Sequence, residues 1–216
     1  LANQAVTASH SGVAIDGYIK GATVFIDTNG NGILDNGEQS TTTDDLGNFD
    51  FGENQRYGTL IMSGGTDIST NKPFEGVMTA PTGSTVVNSL TTLITNITNN
   101  ENTTADSTQE AMVVVLTSLG LDSGLDLLHF DPIAQATDGS ATGEEVDVAL
   151  AVHQANAQIN LLVSQAAALL DGLGIATNEA VGIAASYAAL ADSIEAATGT
   201  VDLASSSIAD DVIRDA

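Results

Sequence analysis

Hydrophobic positions change their spacing near Pro81. Before it, short β-branched and aromatic runs sit among Gly, Thr, Asn and Asp, the pattern of strands separated by turns. Residues 21–26, with Val24, Phe25 and Ile26, predict one strand, and residues 48–51 alternate around Phe49 and Phe51. Residues 59–62 predict another, and residues 74–78, after Pro73, a fourth. Asp45-Leu46-Gly47 and Gly64-Gly65 supply turn signals between them. Several short strands at this spacing predict a small β-sandwich over residues 13–82. Residues 1–12, polar and strand-capable, form an extended N-terminal segment ahead of it.

From Ser84 the period becomes helical. Ser84 is placed as an N-cap before Val86, Val87, Leu90, Leu93, Ile94 and Ile97, which fall on one helical stripe. A second helix is expected from Ser107 to Leu119, stopping at Gly120. Residues 125–130 end at Asp131-Pro132, where proline discourages continuation. A long helix is expected from about Gly143 to Leu170, roughly 40 Å in length at 1.5 Å per residue. Val146, Ala149, Leu150, His153, Ala157 and Leu161 are read as its apolar face, opposite Asp147, Gln154, Gln158 and Gln165. Two further helices cover residues 178–197 and 203–215, separated by Gly199. Residues 83–216 are therefore read as a helical domain.

Composition narrows the function classes. The 216-residue chain has no cysteine, so disulfide frameworks, zinc knuckles and thiol nucleophiles are excluded. Twenty-eight acids face four bases, Lys20, Arg56, Lys72 and Arg214, for a net charge of −24. Residues 1–83 hold ten acids and three bases, residues 84–216 eighteen acids and one base. Such a surface repels phosphate backbones and anionic headgroups, which argues against nucleic acid and membrane-surface partners. It suits a salty, calcium-containing medium that screens self-repulsion. No stretch approaches 18 uninterrupted apolar residues, so no membrane insertion is expected. Lacking an initiator Met and a signal peptide, the chain is read as processed or excised, with an extracellular or cell-surface location.

One segment carries recognisable chemistry. Residues 27–38 match D-x-[DN]-x-[DN]-G-x5-E without a mismatch. Calcium takes six to eight hard oxygen ligands. Asp27, Asn29 and Asn31 offer side-chain oxygens at positions 1, 3 and 5, and Gly32 permits the sharp turn. The Ile33 carbonyl stands at position 7, Asp35 at position 9 and Glu38, preferably bidentate, at position 12. Ile33 and Leu34 are expected to pack the loop against the body. Ca²⁺ is preferred to Mg²⁺, which demands a strict octahedron with retained waters. An Asn-Gly-rich hairpin would mimic part of the pattern, but it leaves the acids at positions 1, 9 and 12 unexplained. Strand-like residues on both sides exclude the helix–loop–helix of a sensor, so the ion is read as a staple between strands. The expected fold class is α+β, with an N-terminal calcium-stabilised β-sandwich followed by an Ala-rich helical bundle.

Residues 15–51, comprising Ile15-Asp16-Gly17-Tyr18, the run to Asp27, the loop, and Thr43-Asp44-Asp45-Leu46-Gly47-Asn48-Phe49, resemble the B-type repeats of Gram-positive surface adhesins. They also resemble the related transthyretin-like, carboxypeptidase-regulatory-like modules. The continuation through Gly64-Gly65-Thr66-Asp67, Phe74-Glu75-Gly76, Ala80-Pro81 and residues 87–93 is similar to segments of very large secreted proteins of aquatic bacteria. The resemblance covers about residues 13–95. It implies a calcium-stabilised β-sandwich in a secreted or cell-surface setting. Simple adhesin repeats are all-β, and the helical half departs from them.

A catalytic constellation is missing from the sequence. No nucleophile elbow, Walker loop, dinucleotide fingerprint or H-E-x-x-H helix occurs. Of the histidines His10, His129 and His153, the last is read as packed and neutral on a helix face, and the nearness of His129 to Asp131 carries no functional weight. Glu144-Glu145 and Asp210-Asp211 are read as helix-surface acids, the first pair at an N-terminus. With no Trp and three Tyr, a carbohydrate platform is poorly supplied. Three functions remain, in order: a calcium-binding structural or adhesive module, non-enzymatic, of a bacterial surface or secreted protein; a self-assembling subunit of an extracellular filament or sheath, a homopolymer joined by strand addition of the N-terminal segment; and a secreted hydrolase or lectin.

Overall fold

Val24, Phe25 and Ile26 are all buried, so the strand that holds them is covered on both faces. In the computed structural model, which describes residues 11–52, 57–100 and 105–216, that strand is central. Strands β1 (Ser11–Ala14), β2 (Ile19–Lys20), β3 (Thr23–Asp27), β4 (Ser40–Thr42) and β5 (Asn48–Asp50) come first. β6 (Thr59–Ser63), β7 (Thr66–Asp67), β8 (Lys72–Pro73), β9 (Val77–Ala80) and β10 (Val86–Val87) complete the β-rich part. Helices α1 (Ser89–Asn99), α2 (Thr108–Ser118), α3 (Pro132–Thr137), α4 (Gly143–Gly172), α5 (Glu179–Ala196) and α6 (Ser206–Asp215) follow. The fold is α+β.

The main sheet is antiparallel in the order β4-β3-β6-β9. Its register aligns Val24 with Met62, Ile26 with Leu60, and Leu60 with Ala80. One row thus joins Ala14, Ile19, Phe49, Phe74 and Val87 in a single apolar core. A second sheet, β10-β1-β5, pairs β1 parallel to β10 and antiparallel to β5. A third, β2-β7-β8, is small. The outer edge of β9 is closed by α1: Thr79 donates its N–H to Thr92 Oγ1 at 3.0 Å, and Thr91 Oγ1 donates to the Thr79 carbonyl at 2.8 Å. An edge strand covered in this way is protected from pairing with another chain.

Leu90, Leu93, Ile94 and Ile97 of α1 meet Met112 and Val115 of α2, Ile159 and Val163 of α4, and Leu190 and Ile194 of α5 in the helical core. Buried polar pairs fasten this core to the start of α1. Asn156 Oδ1 accepts the Leu90 N–H at 3.1 Å, and Tyr187 Oη donates to Ser89 Oγ at 3.1 Å. Nearby, Asn160 Nδ2 donates to Asp16 at 2.6 Å and fastens α4 to the turn after β1.

Several expectations are corrected. The first helix does not begin at Ser84, whose hydroxyl instead donates to the Pro81 carbonyl. Val86 and Val87 extend as β10 beside β1, and Asn88 caps α1 through a capping box with Thr91. Two adjacent β-branched residues with a strand to pair against favour extension, and Asn88 supplies the stronger cap. The β-rich part therefore runs past residue 82, and β1 takes in Ser11 and Gly12 of the expected N-terminal segment; the rest of that segment, with His10, lies outside the described residues. The strand expected at 74–78 is displaced to Val77–Ala80, and Phe74 is a core side chain. Asp131-Pro132 opens α3 rather than only ending what precedes it, with Asp131 as N-cap and proline in the first turn. Finally, Leu150, Ala157 and Leu161 do not form the buried face of α4. Leu150 and Leu161 are 52% and 59% exposed, while Ala149, Val152, Asn156, Ile159, Val163, Ala166 and Leu170 face the core.

Candidate metal centre

The loop that matches the calcium pattern joins β3 to β4 and is closed at its base by the Ile26 N–H bonding to the Gln39 carbonyl at 3.0 Å. Asp27 ends β3 opposite Thr59 and is itself buried. Gly58 fixes its height: a Cβ there would lie 2.3 Å from the Asp27 carbonyl oxygen, so only glycine allows this approach.

From that anchor the chain winds around its own side chains. Asp27 Oδ1 accepts the N–H groups of Asn29 at 3.2 Å and Gly30 at 2.7 Å, and Oδ2 accepts that of Gly32 at 2.7 Å. Asn29 Oδ1 accepts the Asn31 N–H, and Asn31 Oδ1 accepts the Ile33 N–H, at 3.0 and 2.9 Å. Short polar side chains bonding two residues ahead are the mechanism by which Asp and Asn make turns. Gly30 and Gly32 take φ of +76° and +75°, a conformation their lack of a Cβ makes inexpensive.

Asp35 Oδ2 receives Nδ2 of both Asn29 and Asn31, at 2.8 and 2.7 Å. These donors, Asn29 first and then Asn31, hold the Asp35 carboxyl below its usual range. Glu38 closes the loop. Its Oε1 accepts from the Thr28 N–H at 2.7 Å and from Thr28 Oγ1 at 3.0 Å, and its Oε2 from the Asp35 N–H at 3.1 Å. Thr28 was not singled out in the sequence; a hydroxyl directly after the first acid was the available signal.

The six positions read from the pattern, Asp27, Asn29, Asn31, Ile33, Asp35 and Glu38, thus belong to one hydrogen-bonded loop. Ile33 and Leu34 depart from expectation. They are 65% and 42% exposed and do not pack the loop onto the body. The loop projects from the sheet end, so its order comes from polar bonds and glycine turns rather than from burial.

As a donor set the loop suits calcium: three carboxylates, two carboxamides and one carbonyl, all hard oxygen. Among the described residues no group of three or more His, Cys, Asp or Glu side chains converges on a common point. The three loop acids occupy separate nests of N–H and O–H donors. An ion would draw Asp35 from the two amide nitrogens, while the amide oxygens of Asn29 and Asn31 have a second lone pair to offer. The sequence from residue 21 to 55 contains no base to compete for these acids. Asp27, Gly30 and Gly32 also border a cleft of about 630 Å³ whose far wall includes Thr92 and Asn96 of α1 and Tyr187 of α5.

The histidines stand elsewhere. His129 Nδ1 lies 2.9 Å from Asp126 Oδ2 and Nε2 3.0 Å from the Gly83 carbonyl, in an exposed loop. Asp131, its sequence neighbour, accepts from Tyr18 Oη at 2.9 Å instead. His153 is half-buried on α4, and among the described residues its Nδ1 has no hydrogen-bond partner. Glu145 completes a capping box with Thr142, and Asp211 pairs with Arg214 at 2.8 Å. Compared with known proteins, the chain matches no family model, no curated protein and no solved structure.

Proposed function

We propose that this chain is an extracellular, calcium-binding structural or adhesive module of a bacterial surface or secreted protein, and not an enzyme. In this reading the three small sheets act as a sandwich, and Ca²⁺ held by Asp27, Asn29, Asn31, the Ile33 carbonyl, Asp35 and Glu38 locks the β3–β4 connection. The observation that carries it is the loop itself, in which a base-free segment, mostly exposed but for Asp27, links all six positions by mutual hydrogen bonds. Support also comes from the resemblance of residues 13–95 to adhesin B-type and transthyretin-like modules. Among the described residues no helix is long and apolar enough to cross a membrane.

The discriminating variant is Glu38→Gln, which keeps an oxygen to accept from Thr28 but removes the charge. An ion that binds only the native state raises stability by RT ln(1 + [L]/Kd), about 2.7 kcal/mol at a hundredfold excess over Kd. The parent is expected to gain melting temperature in calcium over chelator, and the variant to lose most of that gain, each chain being read against its own melt in chelator because the carboxamide gives up the bond from the Asp35 N–H. Identical calcium responses in the two chains would remove the assignment.

A second reading, a self-polymerising subunit of a filament or sheath, draws on a different observation. β4 and β5 are edge strands, and with β1 they border an open cleft of about 650 Å³ into which Ser11 leads. A strand from another copy would add there. Electron microscopy and sedimentation of concentrated protein distinguish the readings: uniform monomers exclude the polymer.

A further inference from the structure

The loop holds three Asn-Gly dipeptides, Asn29-Gly30, Asn31-Gly32 and Asn36-Gly37, and the structure treats them unequally. Asn-Gly is the peptide sequence most open to deamidation, because glycine puts no side chain beside the attacking nitrogen. The glycine nitrogen adds to the asparagine Cγ and closes a five-membered succinimide. Nδ2 leaves as ammonia, carrying the proton that the glycine nitrogen gives up. Water then opens the ring at either carbonyl and leaves an aspartyl or an isoaspartyl residue. Both reacting groups must be free to approach one another.

At the first two dipeptides neither group is free. The Gly30 and Gly32 N–H groups each donate to the Asp27 carboxylate at 2.7 Å. The carboxamides of Asn29 and Asn31 are held at both ends, Nδ2 by Asp35 and Oδ1 by the backbone two residues on. At the third, both are free: among the described residues neither the Asn36 carboxamide nor the Gly37 N–H has a hydrogen-bond partner. Asn36 is exposed, and nothing lies within 4 Å of where a Gly37 Cβ would stand.

The geometry points to Asn36 as a site of spontaneous deamidation, with the Asp27 carboxylate shielding Asn29 and Asn31 from the same reaction. The aspartyl product adds a carboxylate between Asp35 and Glu38. The isoaspartyl product routes the main chain through the former side chain just ahead of Glu38. Asp27 thus preserves two neutral amides in the loop while a third, two residues before its closing acid, is left open to ageing.

The test is peptide mapping by mass spectrometry of the full chain aged in mildly alkaline buffer. It is run in chelator, so that its outcome is independent of calcium binding. Deamidation at Asn36 is expected to exceed that at Asn29 and Asn31 by at least roughly tenfold, the factor set by one hydrogen bond to a charged group. In urea the three rates should converge, and Asp27→Ala should raise the rates at Asn29 and Asn31 while leaving Asn36 unchanged. Equal rates in the native chain, or a ratio that survives urea, would overturn the inference. Should the variant not fold, the native-against-urea contrast decides by itself.

Discussion

The calcium-type loop and helix α4 reach order by opposite routes. In the loop the side chains are mostly exposed, and the positions from Asp27 to Ile33, with Asp35 and Glu38, are fixed by named polar bonds. In α4 the residues from 148 to 170 include no acid, lysine or arginine, and position is fixed by burial against α1, α5 and α6. Polar bonds are directional and tied to residue type, so they leave a readable motif. Packing of Ala, Val and Leu is not directional, and between residues 148 and 170 only uncharged polar side chains such as Gln154 and Gln165 mark the outside of the helix.

The largest effect should come from the buried face of α4. Ile159→Ala is expected to cost about 2–5 kcal/mol, as core truncations of this size do. Leu161→Ala, two residues on and exposed, should stay within about 0.5 kcal/mol. Chemical denaturation of the two variants reads the face directly, and similar losses in both would mean that the helix is rotated from the orientation described.

Next in size is Asp27→Ala. It removes the acceptor of three backbone N–H groups at a buried position, so a loss of about 1–3 kcal/mol is expected even in chelator. This separates buried Asp27 from Glu38, whose neutral replacement gives up one exposed bond, from the Asp35 N–H, and should cost less in chelator. An Asp27→Ala chain as stable as the parent in chelator would show that the loop is ordered by something other than its own polar bonds.

These contrasts explain what the sequence made legible. The winding of the loop from residue 27 to 32 was legible because Asp27, Asn29, Gly30, Asn31 and Gly32 each have a geometric task there, as acceptor or turn. The starts of α2, α4 and α5 fall within one residue of those expected, and in the structure Ser107, Thr142 and Asn178 cap them. Where the outcome depended on what lay across the fold, the pattern misled. Val86 and Val87 fit a helical stripe, but β1 was available as a partner strand. Leu150 and Leu161 fit an apolar face, but Val152, Ile159 and Val163 fit another about equally well, and packing against α1 and α5 chose between them. Ile33 and Leu34 looked like an anchor only if the loop lay flat on the body.

The smallest effect tests the seam between the two regions, where α4 touches the turn after β1. Asp16 sits there half-buried, and that burial raises its pKa; the hydrogen bond from Asn160 works in the opposite direction, the nearby Asp67 raises it further, and His153 lowers it. Burial raises the pKa of Tyr187, and the nearby Asp16 charge raises it further. A carboxyl with a raised folded-state pKa binds protons more tightly in the folded than in the unfolded chain. Its contribution therefore weakens as pH climbs from the unfolded value of about 4 through the folded one, and the full cost is present at neutral pH. Asp16→Asn keeps an oxygen to accept from Asn160 but has no charge to desolvate. The variant is expected to melt slightly above the parent at neutral pH, by less than about 1 kcal/mol after solvent screening, and the gap should close as pH falls below about 4. A gap that widens in acid would mean that the seam is held by the Asp16 charge rather than held in spite of it, and a gap that stays constant would mean that the charge plays no part.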